Sequence, residues 1–209
     1  MLRLVQLEEL DSILGQVPAL IEKHEKSDTD FSKEVKRWFK EIERALYCSR
    51  LPLLSNIASL RGEIVSAEKG NPPSDMAISG KKTKRKIVDA TSAVALQRAN
   101  SLINERLDRE RGRFGEAELL MRSALSLASY IGIINNFNRS NNTTLRKLLE
   151  ILRSMRMNPE WPDDYRAMFG CETLTTIATE IGRGTAQVIG LVGHKDALIL
   201  LERCISEIG

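Results

Sequence analysis

The spacing of apolar residues is the feature that most restricts how this chain can fold. Apolar side chains recur three and four residues apart along almost the whole sequence, whereas alternation with a period of two is absent. The first pattern is typical of helices that bury one face. The clearest stripe begins at Phe31 and continues through Trp38 to Leu46. We therefore predict an all-α fold, an irregular multi-helix bundle of about seven or eight helices.

Prolines mark the expected helix boundaries in the first third of the chain. Pro18 should kink or split the first helix, and Pro52 should end the helix that begins near Phe31, because proline lacks the N–H that a helix interior needs. Two further prolines lie between Gly70 and Gly80, directly before a dense basic run. This composition predicts one long flexible basic loop, mobile near residues 70–85.

Glycines suggest further boundaries in the second half of the chain. Gly112 and Gly115 are expected to end a helix that starts near Lys86. A later helix over Glu172–Ile181 is followed by four glycines between residues 182 and 193, which should interrupt it. Helices are thus predicted to be separate on either side of both glycine groups.

The length of the chain bounds its domain organisation. With 209 residues it can bury one substantial core, and 28% charged residues fit an ordinary globular protein. We predict a single all-helical domain over residues 1–209. The alternative is a helical hairpin region over residues 1–69 followed by a helical bundle over residues 86–209.

Charge is distributed unevenly along the sequence. Residues 80–158 contain 16 Lys and Arg against 7 Asp and Glu, whereas residues 1–79 contain 11 against 13 and residues 159–209 contain 4 against 8. A local excess of positive charge attracts phosphate backbones, anionic membranes or acidic protein surfaces. The leading hypothesis is a non-catalytic helical protein that binds nucleic acid through this basic central segment, as a subunit of a larger assembly.

Three parts of the basic segment supply the candidate phosphate contacts. The first is the run of five cations within residues 81–86. The second is a pair of arginines, Arg106 and Arg113, that lack an acidic partner one turn away as good as those of the neighbouring arginines Arg109 and Arg111. The third surrounds the start of a helix near Thr143, where backbone N–H groups can bind an anion. Together the candidates are Lys81, Lys82, Lys84, Arg85, Lys86, Arg106, Arg113, Arg139, Arg146 and Lys147.

Enzyme chemistry finds little support in the sequence. The two histidines, His24 and His194, stand in no catalytic or metal-binding pattern, and no phosphate-binding glycine motif follows a strand. We therefore predict no enzyme activity, no metal and no cofactor. The three widely spaced cysteines suggest buried, reduced thiols in a cytoplasmic protein, and no segment is apolar and long enough to span a membrane.

The competing hypothesis is a protein–protein adaptor or chaperone that acts through apolar helix faces. The last helix, over Asp196–Ile208, is apolar on more than one face. Such a helix is either deeply buried or shared with a second chain. The possible partners are thus RNA or DNA, an acidic protein surface, or another copy of this chain bound through the C-terminal helix.

Overall fold

The computed structural model describes residues 2–71, 73, 83–134, 142–155 and 161–208. These residues form nine helices and no strand, which confirms the predicted all-α fold. In chain order the helices are α1 (Leu4–Leu14), α2 (Val17–Glu25), α3 (Phe31–Ser49), α4 (Leu54–Glu68), α5 (Lys84–Tyr130), α6 (Asn142–Ser154), α7 (Asp163–Phe169), α8 (Cys171–Val192) and α9 (His194–Ile208).

The boundaries expected at the prolines are confirmed. Pro18 lies in the first turn of α2, so the opening segment is split into α1 and α2. Proline is tolerated there because the first N–H groups of a helix have no partner within it. Pro52 lies between the end of α3 and the start of α4.

The predicted helix end at Gly112 and Gly115 is wrong. Both glycines lie inside α5, which continues for 47 residues. A glycine costs an exposed helix interior only about 1 kcal/mol relative to alanine, and the buried stripe continues on either side at Leu107 and Phe114. Gly132 follows the end of α5 and has φ 76°, a left-handed conformation that does not continue a helix.

The glycines after Ile181 also fail to interrupt a helix. Gly182, Gly184 and Gly190 all lie within α8, and the helix ends only before Gly193, where φ is 81°. The first two of these glycines are buried. A β-carbon on Gly184 would lie 3.7 Å from the carbonyl oxygen of Leu120, so this small residue allows α8 to pack close to α5.

The loop predicted near residues 70–85 ends earlier in the chain than expected. α5 begins at Lys84, so Lys84 and Arg85 are helical rather than part of a loop. The hydroxyl of Thr83 accepts a hydrogen bond of 3.3 Å from the backbone N–H of Lys86, as a residue that caps a helix does. The rest of the prediction, at residues 72 and 74–82, lies outside the described residues.

The chain divides into two compact units, Met1–Glu110 and Arg111–Gly209, and the division falls inside α5. In the first unit α3 packs against α1, α2 and α4. Its core is built around three aromatic rings of α3, those of Phe31, Trp38 and Phe39, each at most 1% exposed. The single-domain organisation stays a prediction.

In the second unit, α6 packs against α8 and α9, and α7 packs against α8. The apolar residues of α9 face this core: Ala197, Leu200, Leu201 and Cys204 are each at most 1% exposed. The unusual apolar content of the last helix is therefore accounted for within the unit. In the described ranges, no helix combines the length and apolar character that crossing a bilayer requires.

Candidate nucleic-acid interface

The start of α5 carries three of the predicted phosphate contacts on exposed side chains, those of Lys84, Arg85 and Lys86. Positive charge at a helix N-terminus opposes the helix dipole and costs roughly 0.3–1 kcal/mol per charge. Three cations in the first turn therefore do not stabilise this helix. Lys81 and Lys82, which precede it, lie outside the described residues.

Arg85 is partly engaged by the protein itself. Its Nη2 donates a hydrogen bond of 2.9 Å to the carbonyl oxygen of Ser27, and its Nε lies 3.5 Å from a carboxylate oxygen of Asp89. A cleft of about 410 Å³ adjoins these contacts and is lined by Lys86 together with the acidic residues Asp28 and Asp89. The cleft is thus of mixed charge, and Lys84 and Lys86 are the cations most available here.

Arg106 and Arg113 are less accessible than their sequence positions suggested. Arg106 lies 3.5 Å from a carboxylate oxygen of Glu110, one turn further along α5. Arg113 donates a hydrogen bond of 3.2 Å from Nη1 to the carbonyl oxygen of Leu191, near the C-terminus of α8, and its guanidinium lies 4.6 Å from the centroid of the Phe114 ring. A cation at a helix C-terminus is electrostatically favourable, so Arg113 has a structural role in joining α5 to α8.

Arg146 and Lys147 lie on the exposed side of α6, next to a buried stripe that includes Leu145 and Leu148. Neither cation forms an ion pair with any residue that the structure describes. Their exposure fits the predicted role. Arg139, the third member of this group, lies outside the described residues.

A further basic surface lies where sequence counting did not suggest one. A groove of about 440 Å³ between α3 and α4 is lined by five cations, one acid and one apolar residue: Lys33, Lys36, Arg37, Lys40, Arg61, Glu68 and Val65. It was missed because residues 1–79 carry slightly more acidic than basic residues in total. The signal in the sequence is the helical spacing of its cations, which a segment-wide sum cannot detect.

The cysteines differ from the prediction of buried thiols. Cys204 is buried, but Cys48 and Cys171 are exposed. Burial raises the pKa of the Cys204 thiol, because the thiolate would lose its hydration there. Among the described residues, no group of three or more His, Cys, Asp or Glu side chains is arranged as a metal site.

Comparison with known proteins adds no relationship to these observations. The chain matches no protein-family model, no curated protein and no solved structure.

Proposed function

We propose that this chain is a non-catalytic helical protein of the cytoplasm that binds nucleic acid, as a subunit of a larger assembly. The observation that supports the proposal is that Lys84, Lys86, Arg146 and Lys147 are all exposed and form no ion pair with a described residue. Long cationic side chains that project into solvent can neutralise phosphates and release their counterions.

The position of the α5 cations gives a second argument. Lys84 and Lys86 stand where a positive charge weakens the helix, and Lys81 and Lys82 precede them in the sequence. A sequence selected only for stability would favour acidic residues in this turn. A binding role explains why cations occupy it.

The proposal is tested by the salt dependence of binding to a fluorescently labelled DNA duplex and to a labelled single-stranded RNA. One variant combines Lys81→Gln, Lys82→Gln, Lys84→Gln and Lys86→Gln, and a second combines Arg146→Gln with Lys147→Gln. Each phosphate contact removed should flatten the log–log slope by about 0.9 for a duplex and about 0.7 for a single strand. If neither probe binds the wild-type protein at low salt, the proposed function is wrong.

A second candidate function, a protein–protein adaptor, is favoured by the exposed apolar side chains around α7. That helix buries none of its residues, and Met168 is 76% exposed. The ring of Phe169 contacts that of Tyr130, itself 66% exposed, with centroids 5.5 Å apart. Apolar and aromatic side chains of this kind form the centre of protein interfaces.

The two functions predict different responses to salt. A nucleic acid held by phosphate contacts should dissociate as salt rises, whereas a mainly apolar protein interface should change little. Size exclusion of protein purified without nuclease, at low and then at about 0.5 M salt, separates them by the 260/280 nm absorbance ratio of the protein peak. A partner protein that stays bound at the higher salt would favour the adaptor.

A further inference from the structure

The outward face of α3 is rich in cations. All five basic residues of this helix, Lys33, Lys36, Arg37, Lys40 and Arg44, lie on the side opposite its buried stripe. The buried stripe is complete: Val35, Phe39 and Ile42 are each 0% exposed. The helix therefore has one face that belongs to the core and one that presents positive charge to solvent.

Two of the three acidic residues of α3 pair with cations of neighbouring helices, and the third, Glu41, is exposed and accepts a hydrogen bond of 3.5 Å from Nε2 of Gln16. Glu34 accepts a hydrogen bond of 2.5 Å from Nζ of Lys23 in α2, and this bond raises the pKa of Lys23. Glu43 accepts one of 2.7 Å from Nε of Arg61 in α4. The carboxylates of Glu34 and Glu43 thus balance cations outside α3, which leaves Glu41 as the one acidic residue of this helix that offsets its exposed cations.

Of the five cations on this face, one forms an ion pair with a described residue and four do not. Lys36 is paired with Glu68 of α4. Lys33, Arg37, Lys40 and Arg44 form no ion pair with a described residue, and all four are exposed. Positive charge is therefore concentrated on one helix face within residues 1–79, which contain slightly more acidic than basic residues in total.

The spacing of these four residues makes them a straight row. They are separated by four, three and four positions, which keeps them on one side of an α-helix. At about 1.5 Å per residue the row extends for about 16 Å. A duplex exposes about one phosphate per 3.4 Å of its axis on each strand, so the row can run beside several successive phosphates.

We propose that the row Lys33, Arg37, Lys40 and Arg44 on α3, with the adjoining α3–α4 groove, binds the phosphodiester backbone of a nucleic acid. This inference rests on the proposed function, and it assigns that function to a surface outside the basic central segment. The groove supplies space beside the row, and its volume of about 440 Å³ is lined mainly by cations.

The alternatives fit the same surface less well. A helix that binds a membrane surface inserts an apolar face, but the apolar face of α3 is buried in the core of its unit. Protein interfaces usually centre on apolar or aromatic anchors. On this face the large apolar side chain that is exposed is Tyr47, at one end of the row, and an exposed aromatic ring is also a surface on which a base stacks.

The test is a variant that combines Lys33→Gln, Arg37→Gln, Lys40→Gln and Arg44→Gln. Binding to a labelled DNA duplex is measured between about 50 and 200 mM salt. Four lost phosphate contacts should flatten the log–log slope by about 3 to 4 units, so that the rise in salt weakens wild-type binding on the order of 100-fold more than variant binding. Glutamine favours helix, so circular dichroism should be unchanged.

A matched control removes the same charge from scattered sites. It combines Lys26→Gln, Lys69→Gln, Arg166→Gln and Arg183→Gln, all of which replace exposed side chains. Three of these cations already pair with an acid on their own helix or its end: Lys26 with Glu22, Arg166 with Asp163 and Arg183 with Glu180. This control should keep a slope close to that of the wild type.

The outcomes separate this inference from the proposed function. If the α3 variant and the scattered control have the same slope while the wild type binds DNA, the α3 assignment is overturned and the function stands. If the wild type binds neither the DNA duplex nor the labelled single-stranded RNA at low salt, both are overturned. Binding that is confined to vesicles containing phosphatidylserine, or to an acidic polyglutamate, would also overturn the nucleic-acid assignment.

Discussion

The indole Nε1 of Trp38 donates a hydrogen bond of 2.9 Å to the carbonyl oxygen of Ile13, inside the core of the first unit. Ile13 lies in the last turn of α1, where carbonyl groups lack partners within the helix. The bond therefore holds the inner face of α3 against the end of α1. The direction in which α3 presents its cations depends on this packing.

Replacing Trp38 by phenylalanine should destabilise the protein without changing its charge. The substitution removes the hydrogen bond and leaves unfilled volume in the core, at a combined cost of about 2 kcal/mol. Urea unfolding followed by circular dichroism measures the change. Trp161→Phe is the control, since Trp161 is only half-buried, and equal midpoints for the two variants would contradict the role assigned to Trp38.

Replacement by alanine should change the stability of the protein in opposite directions at two glycines, Gly115 and Gly193. Gly115 lies inside α5 with open space where a β-carbon would be, so Gly115→Ala should stabilise by about 0.5–1 kcal/mol. Gly193 has φ 81°, so Gly193→Ala should destabilise by about 1 kcal/mol. Thermal unfolding of both variants is the measurement, and a less stable Gly115→Ala protein would show that α5 does not continue through this position.

These glycines also show what the sequence could predict and what it could not. The apolar period predicts helices reliably, and Pro18 and Pro52 mark real boundaries because proline cannot occupy a helix interior without loss. Glycine, in contrast, can occupy the interior of a helix, as Gly115 does in α5. Whether Gly115 or Gly132 ends α5 is decided by the packing of the flanking turns, which a local pattern does not contain.

The candidate surfaces were predictable only in part. The exposure of Lys84 and Arg146 follows from their positions beside apolar stripes. By contrast, the contact of Arg113 with Leu191 joins residues far apart in the sequence, and so does the bond between Arg61 and Glu43, which leaves the α3 row unbalanced. Pairing between helices determines which charges remain available, and a sequence-based count treats all charges alike.

Truncating a buried side chain of α9 should destabilise the protein, as it does in a hydrophobic core. Leu200 is 1% exposed, so Leu200→Ala should cost about 2–5 kcal/mol in unfolding free energy. Met168→Ala serves as the control, because a side chain that is 76% exposed contributes little to the core. Urea unfolding and size exclusion should be run together: a Leu200→Ala protein of wild-type stability but altered size would instead support an interface between chains through α9.

The three cysteines should differ in reactivity. Cys48 and Cys171 are exposed and should react with a thiol reagent such as dithionitrobenzoate in the native protein, whereas buried Cys204 should react at least about tenfold more slowly. The fast phase of the reaction should account for two thiols and the slow phase for one, and all three thiols should react fast in denaturant. Cys204→Ala provides the assignment, because it should remove the slow phase alone.

The raised pKa of Cys204 also predicts a pH dependence of stability. The folded state binds this proton more tightly than the unfolded chain, so the contribution is fully present below the ordinary thiol pKa of about 8.5 and is lost as the pH rises through the folded value. At alkaline pH the wild type should therefore lose unfolding free energy relative to Cys204→Ala. A difference that stays constant would contradict the burial of this thiol.

The bond from Arg85 to the carbonyl oxygen of Ser27 ties the first turn of α5 to the turn that precedes α3. On the other side of the intervening segment, α4 is packed against α3. Both ends of residues 72–82 are thus fastened to the same folded unit. A fluorescent protein or an affinity tag inserted between these two fastened ends should therefore leave the packing of α3 against α1, α2 and α4 unchanged.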